Sequence, residues 1–398
     1  MKKTLCRAAG AISAVLLLCA ALLFFIHQKQ TTSDECFSAS IHAEKAGYHT
    51  LLIDYSQPES QDHTLSVYIN GVFSRKAAFS PDAEGSVHVP VYLKEGRNRI
   101  SLRIAPGDQK TDILAIDAVA RSAPTKMVLA PHEDDEVLGF AASIMQMLQN
   151  GDDVLVVFVT NGDWKGKEMG MERLVESAKA LSILGLPPEN MIVMGYPDAE
   201  LPQLLKAGSS RKTLDLQLGE DHTYGNPAYR ITDFHTLQHG KAAAMSGYNI
   251  RKDLYDILSV HMPCEIYLAS QYDLHQDHAS TYALTIQTLR NISEKTPYSP
   301  LLHETVIHGY DDALWPERLI RDDADQPVIN AFTNPFPHGD VPLDWEAAVH
   351  VQLTPDMIAR KHEAIMMYHT QNVIMGWIDQ NEAYLKSDEF YWTKKFVQ

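Results

Sequence analysis

Two separate clusters of ionisable residues in this chain could do chemistry together. Residues 130–140 read APHEDDEVLGF, which places one histidine and four carboxylates in five consecutive positions after an apolar run. Residues 270–278 read SQYDLHQDH and add two more histidines. His132, Asp135 and His278 would supply the mixed imidazole and carboxylate ligands of a catalytic zinc site, which keeps a fourth position for water. We therefore expect Zn²⁺, or a divalent transition metal that substitutes for it.

A purely structural role for the first cluster is the alternative. Asp134 and Asp135 could cap the following helix, because helix N-termini favour anionic acceptors. A cap needs one acceptor, whereas this segment supplies several together with an imidazole. The composition of the segment therefore favours a functional site.

Both clusters follow short apolar runs that predict buried strands. Residues 126–130 precede the first cluster, and residues 265–270 lead into the second. Apolar residues at helical spacing come after each cluster, over 137–149 and 278–291. Ligands of open parallel sheets bind at the carboxyl ends of the strands, so we expect the two clusters to converge at one sheet edge.

The alternation of strands and helices extends beyond these two units. Further strands are predicted over 154–160, 191–194 and 305–308, and a further helix over 171–184. This order predicts an α/β fold with a Rossmann-like, mostly parallel sheet and helices on both faces.

In the region before residue 122, the apolar residues have the spacing of strands and not of helices. Apolar residues alternate with polar ones over 49–55, 65–69, 87–93 and 100–104, and Asn70-Gly71 is a turn signal. Several short strands at this spacing predict a small all-β sandwich. The chain thus divides into a signal anchor and linker at 1–34, a β-sandwich at 35–122 and a catalytic domain at 123–398.

The N-terminal segment predicts export. Lys2, Lys3 and Arg7 precede an uncharged apolar run over residues 8–26, about the length that crosses a bilayer. The run ends without a cleavage-site pattern of small residues, which favours an uncleaved single-pass anchor with the rest of the chain outside the cytoplasm. Secretion after cleavage of a signal peptide is the alternative.

Composition and charge exclude some partners. The chain has 398 residues, is 45% hydrophobic and carries a formal net charge of -17, so we expect no nucleic-acid partner. Its four cysteines lack metal-site spacing. Cys36 and Cys264 leave two interpretations open, a disulfide in an oxidising compartment or two unrelated thiols.

An ordered set of motifs resembles a known family. PHEDDE at 131–136 and HQDH at 275–278 are similar to the two hallmark motifs of the zinc-dependent de-N-acetylases of the PIG-L or LmbE-like family, typified by N-acetylglucosaminyl-phosphatidylinositol de-N-acetylase. Between and after them stand TNG, RLVE, GYPDAEL and the closing segment from KHEAI to YHTQ. The resemblance covers residues 124–371.

The resemblance implies a role for each matching residue. His132, Asp135 and His278 would bind zinc, Asp134 would act as general base, and His275 would polarise the amide carbonyl or hold the oxyanion. These roles agree with the chemistry, because a metal-activated water needs a carboxylate to take its proton and an amide needs its oxyanion stabilised.

Two further residues of these motifs need interpretation. Glu133 stands where the family has proline, which changes the rigidity of the loop and the local pKa values. Asp277 is a candidate catalytic residue that would orient His275, or else a solvent-facing loop carboxylate. Glu136 is predicted to brace the start of the helix.

Candidate substrate contacts are Arg173, Tyr224 and His235, the last two from a long insertion over 202–251. Arg173 could instead pair with Glu176 on the same helix. His235 and His239 form an HxxxH pair, which is more often a helix face than a second metal site.

The sandwich resembles a carbohydrate-binding module through YHTLLIDY, LSVYINGV, LKEGRNRISL and IDAVA. A structural spacer is the alternative. Exposed aromatic platforms would separate the two, and the candidates, which could equally be packing residues, are Tyr48, Tyr55, Tyr68 and Tyr92.

Together these patterns predict a membrane-anchored zinc hydrolase. It would remove acetyl groups from N-acetylamino sugars, similar to N-acetylglucosamine, in an extracytoplasmic glycan or glycolipid. The alternatives are an amidase for another amide conjugate and a catalytically silent surface protein that binds glycans.

Overall fold

The computed structural model describes residues 35–56, 63–80, 84–104, 111–217, 220–309, 315–324, 326–339 and 341–397. The predicted anchor over residues 8–26 lies outside these ranges. Within them, no helix combines the length and the apolar character that crossing a bilayer requires. Cys36 and Cys264 do not form a disulfide with each other in the structure.

The first part of the described chain is a sandwich of two antiparallel sheets. One sheet has the order β1-β6-β3-β4 and the other β5-β2-β7. Asn70 and Gly71 form the predicted turn between β3 and β4, with φ of 54° and 85°. The strands are β1 (Glu35–Ala43), β2 (Gly47–Ser56), β3 (His63–Ile69), β4 (Val72–Phe79), β5 (Glu84–Leu93), β6 (Gly96–Ile104) and β7 (Asp112–Ala120).

The aromatic candidates of the sandwich take part in packing. Tyr55 and Tyr68 are buried. Tyr48 and Tyr92 are half-buried, and their rings meet edge to face at 5.4 Å between centroids. None of these four tyrosines therefore presents an exposed flat platform for a sugar ring.

The second part contains a seven-stranded sheet with the order β10-β9-β8-β11-β12-β16-β15. The first five of these strands run parallel, and β16 and β15 are antiparallel additions. The strands are β8 (Thr125–Ala130), β9 (Asp153–Thr160), β10 (Met191–Tyr196), β11 (Glu265–Ala269), β12 (Leu301–Thr305), β15 (Val349–Gln352) and β16 (Asp388–Lys395), with β13 (Ile320–Arg321) and β14 (Pro327–Val328) forming a separate pair.

The order of the parallel strands creates a crevice. The chain moves outward from β8 to β9 and β10, then returns to the other side of β8 with β11 and β12. The loops after β8 and β11 leave the sheet in opposite directions, and ligands of open α/β sheets bind where the order reverses in this way.

Helices cover both faces of this sheet. Along β8, Val128 and Ala130 belong to one apolar cluster, whereas Met127 and Leu129 belong to another on the opposite face. The helices are α1 (Asp135–Leu138), α2 (Ala141–Gln149), α3 (Lys167–Leu184), α4 (Leu201–Lys206), α5 (Phe234–His239), α6 (Gly247–His261), α7 (Gln276–Ser293), α8 (Pro355–Ile365) and α9 (Ile378–Glu382).

The predicted helix over 137–149 is in fact two helices, α1 and α2. The break is stabilised by a buried ion pair from distant parts of the chain, between Lys361 and Glu389 at 2.9 Å. Lys361 donates to the carbonyl of Leu138, and the Glu389 carboxylate accepts from the backbone N–H of Ala142. The backbone groups freed by the break are thus satisfied by side chains that helical spacing cannot reveal.

The predicted strand over 305–308 was displaced from its true position. The strand is β12, which ends at Thr305. The Asp273 carboxylate accepts from the backbone N–H groups of Ile307 and His308 at 2.7 and 3.0 Å. Since these donors are occupied, the chain leaves the sheet ladder just where the prediction began.

A buried ion pair connects the sandwich to the α/β domain. Arg75 on β4 donates two hydrogen bonds to Asp153 on β9, at 2.8 and 2.7 Å, and both side chains are 2% exposed. Tyr48 also donates to the carbonyl of Met262 at 2.7 Å. Breaking a buried pair on one side leaves a charge without compensation, so this contact fixes how the two parts dock.

Candidate metal centre and active site

Three ligand atoms meet at the crevice between β8 and β11. His132 Nδ1 lies 3.3 Å from Asp135 Oδ2 and 3.3 Å from His278 Nε2, and His278 Nε2 lies 3.2 Å from Asp135 Oδ2. A tetrahedral ion with bonds of about 2.0 Å has ligand atoms about 3.3 Å apart. The three atoms therefore form one face of a tetrahedron of the size that zinc requires.

Local structure explains how these residues reach one point. The loop after β8 turns sharply, because the backbone N–H of His132 donates to Asp135 Oδ2 at 2.8 Å. His278 stands in the first turn of α7, which begins after the loop that leaves β11. Since β8 and β11 are paired in parallel, both loops open at the same edge.

Carboxylates behind the histidines set their orientation. His132 Nε2 lies 3.1 Å from Asp277 Oδ2 and 3.2 Å from Asp198 Oδ1. Because both neighbours of Nε2 are acceptors, Nε2 carries a proton, and a cation bound at the centre would meet the lone pair of Nδ1. On the other histidine, His278 Nδ1 lies 3.2 Å from Asp273 Oδ2.

The Asp277 carboxylate therefore faces His132, not the ring of His275. It also accepts from the backbone N–H groups of Ala199 and Leu201 at 2.6 and 3.1 Å, which ties the loop after β10 to the site. Asp277 is buried, so it is not a solvent-facing loop carboxylate either.

Asp134 lies beside the three ligand atoms in a strained backbone conformation. Its φ is 128°, a region that residues other than glycine rarely adopt and that costs about 1–3 kcal/mol. Gln371 holds the carboxylate through a hydrogen bond of 2.7 Å to Oδ2. Burial raises the pKa of Asp134 to about 6, against the opposing charge of Arg173. A carboxylate with a pKa in this range is suited to general base catalysis near neutral pH.

Glu136 braces the loop. Its Oε2 accepts from the backbone N–H of Asp134 at 3.0 Å, and its Oε1 accepts from the Tyr368 hydroxyl. Burial raises the pKa of Glu136 to about 8.

Arg173 organises the loop as well as lining the cavity. It donates to the carbonyls of Gly162 and Glu133 at 3.0 and 2.7 Å. It does not pair with Glu176, whose carboxylate accepts from the backbone and hydroxyl of Thr370. Arg173 is 5% exposed and faces the same cavity as Asp134.

The Glu133 side chain turns away from solvent. Its carboxyl group is buried, and neither oxygen has a hydrogen-bond partner among the described residues, although Arg173 Nε lies 3.9 Å away. Burial raises the pKa of Glu133 well above its usual value. Burial therefore favours the neutral form of this extra acid.

Two more imidazoles lie at the mouth of the centre. The His275 ring centroid is 4.5 Å from that of His132, and His308 lies 5.4 Å from His275. Burial, together with His132 and His278, lowers the pKa of His275 to about 2, so this ring is neutral. Its Nδ1 accepts from the backbone N–H of Asp277 at 3.3 Å, which leaves the proton on Nε2.

The centre opens into a cavity of about 570 Å³. This volume lies within the range of about 300–1,000 Å³ that is common for small-molecule sites. Aromatic side chains and polar groups share its wall beyond the ionisable residues, among them Trp164, Trp315, Trp377, Tyr384, Arg318 and Gln380.

Two of the predicted substrate contacts lie elsewhere. Tyr224 is buried and donates to Asp163 at 2.9 Å, and His235 contacts Asp253 at 2.8 Å. Neither of them lines the cavity. Of the three predicted contacts, the structure brings only Arg173 to the site.

Sequence reasoning missed several residues of the site. Asp198 and Gln371 stand inside motifs that carry the family resemblance, so that signal was present. Asp273 and His308 have no such signal, since their roles come from the loop geometry after β11 and β12. The tryptophans of the cavity are isolated in the sequence and follow no spacing.

The ligand triangle and its neighbouring acid lie in a part of the chain that matches a known family. Residues 127–289 match the family model described as PIG-L, GlcNAc-PI de-N-acetylase. This part of the chain is therefore similar to the PIG-L family, and we refer to it as the PIG-L domain. Comparison with curated proteins finds no significant match.

Solved structures similar to the PIG-L domain include two deacetylases. One is the N,N'-diacetylchitobiose deacetylase from Pyrococcus horikoshii, with 16% identity, coverage of 69% of this chain and 84% of that chain, and a TM-score of 0.40. Another is a zinc-inhibited form of teicoplanin deacetylase, with 17% identity, coverage of 69% and 99%, and a TM-score of 0.41.

The sandwich is similar to a family 35 carbohydrate binding module from an environmental isolate. The identity is 21%, the coverage is 23% of this chain and 72% of that chain, and the TM-score is 0.21.

Proposed function

We propose that the chain is a zinc-dependent hydrolase that removes N-acetyl groups from N-acetylamino sugars. The single observation that carries this proposal is the triangle of His132, Asp135 and His278 ligand atoms, with edges of 3.2–3.3 Å, beside the Asp134 carboxylate. The PIG-L family model agrees with this activity.

The donor set fits zinc. Two imidazole nitrogens and one carboxylate oxygen are ligands of a borderline ion, whereas a hard cation such as Mg²⁺ would favour oxygen ligands alone. A divalent ion held there lowers the pKa of a bound water and polarises the amide carbonyl.

Asp134 performs the proton transfers. Its carboxylate takes the proton of the attacking water as the carbon–oxygen bond forms at the acetyl carbonyl. It then gives this proton to the amine nitrogen as the carbon–nitrogen bond breaks, which yields acetate and a free amino sugar. Gln371 and the strained backbone hold the carboxylate in place for both steps.

His275 stabilises the developing negative charge. Because its Nδ1 accepts from the backbone of Asp277, the Nε2–H is free to point into the cavity. A neutral imidazole in this position can donate a hydrogen bond to the carbonyl oxygen, and such a donor is most effective where the oxyanion forms.

The cavity wall supports a sugar substrate. Trp164 is 44% exposed and Trp377 is half-exposed, so both can offer aromatic surface to the apolar face of a pyranose ring. Arg173 and Asp198 supply polar contacts at the same site. This combination of aromatic and polar groups suits an N-acetylated amino sugar, within a glycan or a glycolipid.

The place of action is part of the proposal. The basic N-terminus and the apolar run over residues 8–26 support a single-pass anchor in the cell membrane with an extracytoplasmic catalytic domain. Protease added to intact cells should then digest this domain; protection of the domain would contradict the orientation, and release of the chain into the medium would favour a cleaved signal peptide.

The activity test uses the purified full chain and N-acetylglucosamine oligomers. We expect acetate release that stops on treatment with a chelator, returns on addition of Zn²⁺ and is lost in Asp134→Asn. Acetate release that persists in the presence of the chelator and in Asp134→Asn would overturn the mechanism. Absence of release from any acetylated glycan would overturn the substrate assignment and favour the amidase or the silent glycan-binding protein.

A further inference from the structure

A second cluster of donor atoms lies outside the cavity, where α5 meets α6. His235 and His239 are one turn apart on α5, and Asp253 projects from α6. One possible ligand atom from each residue lies within 4.8 Å of the other two. The sequence predicted a plain helix face for the two histidines, but α6 adds a carboxylate that their spacing could not show.

Asp253 is arranged like a supported ligand. Its side chain has no solvent exposure, and the Tyr196 hydroxyl donates to Oδ2 at 2.7 Å. His235 Nδ1 lies 2.8 Å from the other oxygen, Oδ1, and 3.1 Å from Oδ2. A hydrogen bond to one oxygen commonly orients a carboxylate that binds a metal through the second.

His239 completes the set from the solvent side. Its side chain is exposed, and its ring centroid lies 4.4 Å from that of His235. Ligand atoms of a tetrahedral zinc ion are about 3.3 Å apart, so an ion would require a movement of at most about 1.5 Å. The exposed ring can make this movement without disturbing the core.

We propose that His235, His239 and Asp253 form a second site for a divalent ion of the zinc class, distinct from the catalytic centre. Two imidazoles and a carboxylate favour zinc, nickel or copper over calcium or magnesium. The exposed side of the cluster leaves room for water as the remaining ligand.

The place of this site in the fold suggests a structural role. Helix α5 lies against the sandwich, because Gln238 accepts from the backbone N–H of Phe73 at 2.6 Å and donates to the carbonyl of Gly71 at 2.9 Å. Phe234 on the same helix packs edge to face on Phe73. An ion that joins α5 to α6 would therefore fasten the sandwich to the PIG-L domain.

The test counts ions bound to the full chain. After removal of metal and dialysis against Zn²⁺, we expect two zinc equivalents in the wild type and one in His239→Ala. The matched control is His222→Ala, an exposed histidine of the same insertion, which should keep two. One equivalent in the wild type that His239→Ala retains, or two equivalents in His239→Ala, would overturn the proposal.

A second measurement separates this site from the catalytic one. In Asp135→Ala, which should lose the catalytic ion, added Zn²⁺ should still raise the melting temperature, and His239→Ala in that background should abolish the rise. His239→Ala alone should keep its rate of acetate release. A rise that persists without His239 would overturn the proposal, whereas loss of the catalytic ion alone would leave it intact.

Discussion

His132 Nδ1 and His278 Nε2 lie 3.3 Å apart, although the two residues are 146 positions apart in the sequence. Two imidazole nitrogens this close repel each other unless a proton or a cation lies between them. The distance is that of two ligands on one tetrahedral ion. The reversal of strand order at β8 therefore brings these two nitrogens to the distance that the proposed metal chemistry requires.

Asp134→Asn should remove catalysis without removing the metal. The amide cannot take a proton from water, and general base catalysis contributes about 10²–10⁴-fold. We expect kcat to fall by about this factor while the zinc content of the catalytic centre stays the same. Acetate release and zinc content measured on one preparation check both parts. A rate within about threefold of the wild type would exclude Asp134 as the base.

Gln371→Leu should lower kcat by misplacing Asp134. The lost hydrogen bond to a charged group corresponds to about 10–100-fold in rate. Gln380→Leu is the matched control, because Gln380 lines the same cavity without a hydrogen bond to Asp134. Steady-state kinetics of both variants test the prediction, which fails if the two lower kcat equally.

Arg75→Leu should destabilise the protein by about 3 kcal/mol, because the buried Asp153 carboxylate loses its main partner. Arg99→Leu is the control, since Arg99 pairs with Glu35 on the surface of the same sandwich and is 60% exposed. Urea unfolding of both variants gives the comparison. Substituting leucine at both 75 and 153 should recover part of the loss, and equal effects of Arg75→Leu and Arg99→Leu would contradict the docking role.

The buried imidazole of His261 should lower the free energy of unfolding in mild acid. Burial lowers the pKa of this imidazole to about 3, with Arg75 acting in the same direction. Below the unfolded pKa of about 6.5, the unfolded chain binds a proton that the folded chain does not. Stability from this group is thus present above about pH 6.5 and is lost as pH falls towards the folded value.

The measurement compares wild type with His261→Gln at pH 7 and pH 5. The free energy of unfolding of the wild type should fall by about 2 kcal/mol more than that of the variant across this interval. The reason is that pH 5 lies about 1.5 units below the unfolded pKa, and each unit corresponds to about 1.4 kcal/mol. Other titrating groups cancel in the difference. Parallel curves for the two proteins would show that His261 does not titrate between the folded and unfolded states.

Much of the fold could be predicted from the spacing of apolar residues alone. Strand β9 is predicted nearly to the residue because its eight positions are all buried and apolar except at the ends. The split into α1 and α2 could not be predicted, because it depends on Lys361 and Glu389 from the end of the chain. The antiparallel strands β15 and β16 were missed because they are added at the edge of the sheet and do not belong to the alternation of strands and helices that predicted the parallel strands.

The candidate site could be predicted where residue type and loop position act together. His132, Asp135 and His278 each follow a strand and carry ligand chemistry, so a parallel sheet is enough to bring them to one edge. Asp277 shows the limit of this approach, because its place on α7 does not reveal which imidazole its carboxylate faces. The distant contacts of Gln371 and Asp198 depend on loops whose paths the sequence does not specify.

The most direct test of the catalytic centre is anomalous diffraction at the zinc edge from crystals of the full chain grown with Zn²⁺. The account predicts a peak about 2.0–2.2 Å from His132 Nδ1, Asp135 Oδ2 and His278 Nε2, with a fourth direction open to the cavity. A chain that binds zinc with no peak within coordination distance of these three atoms would contradict it.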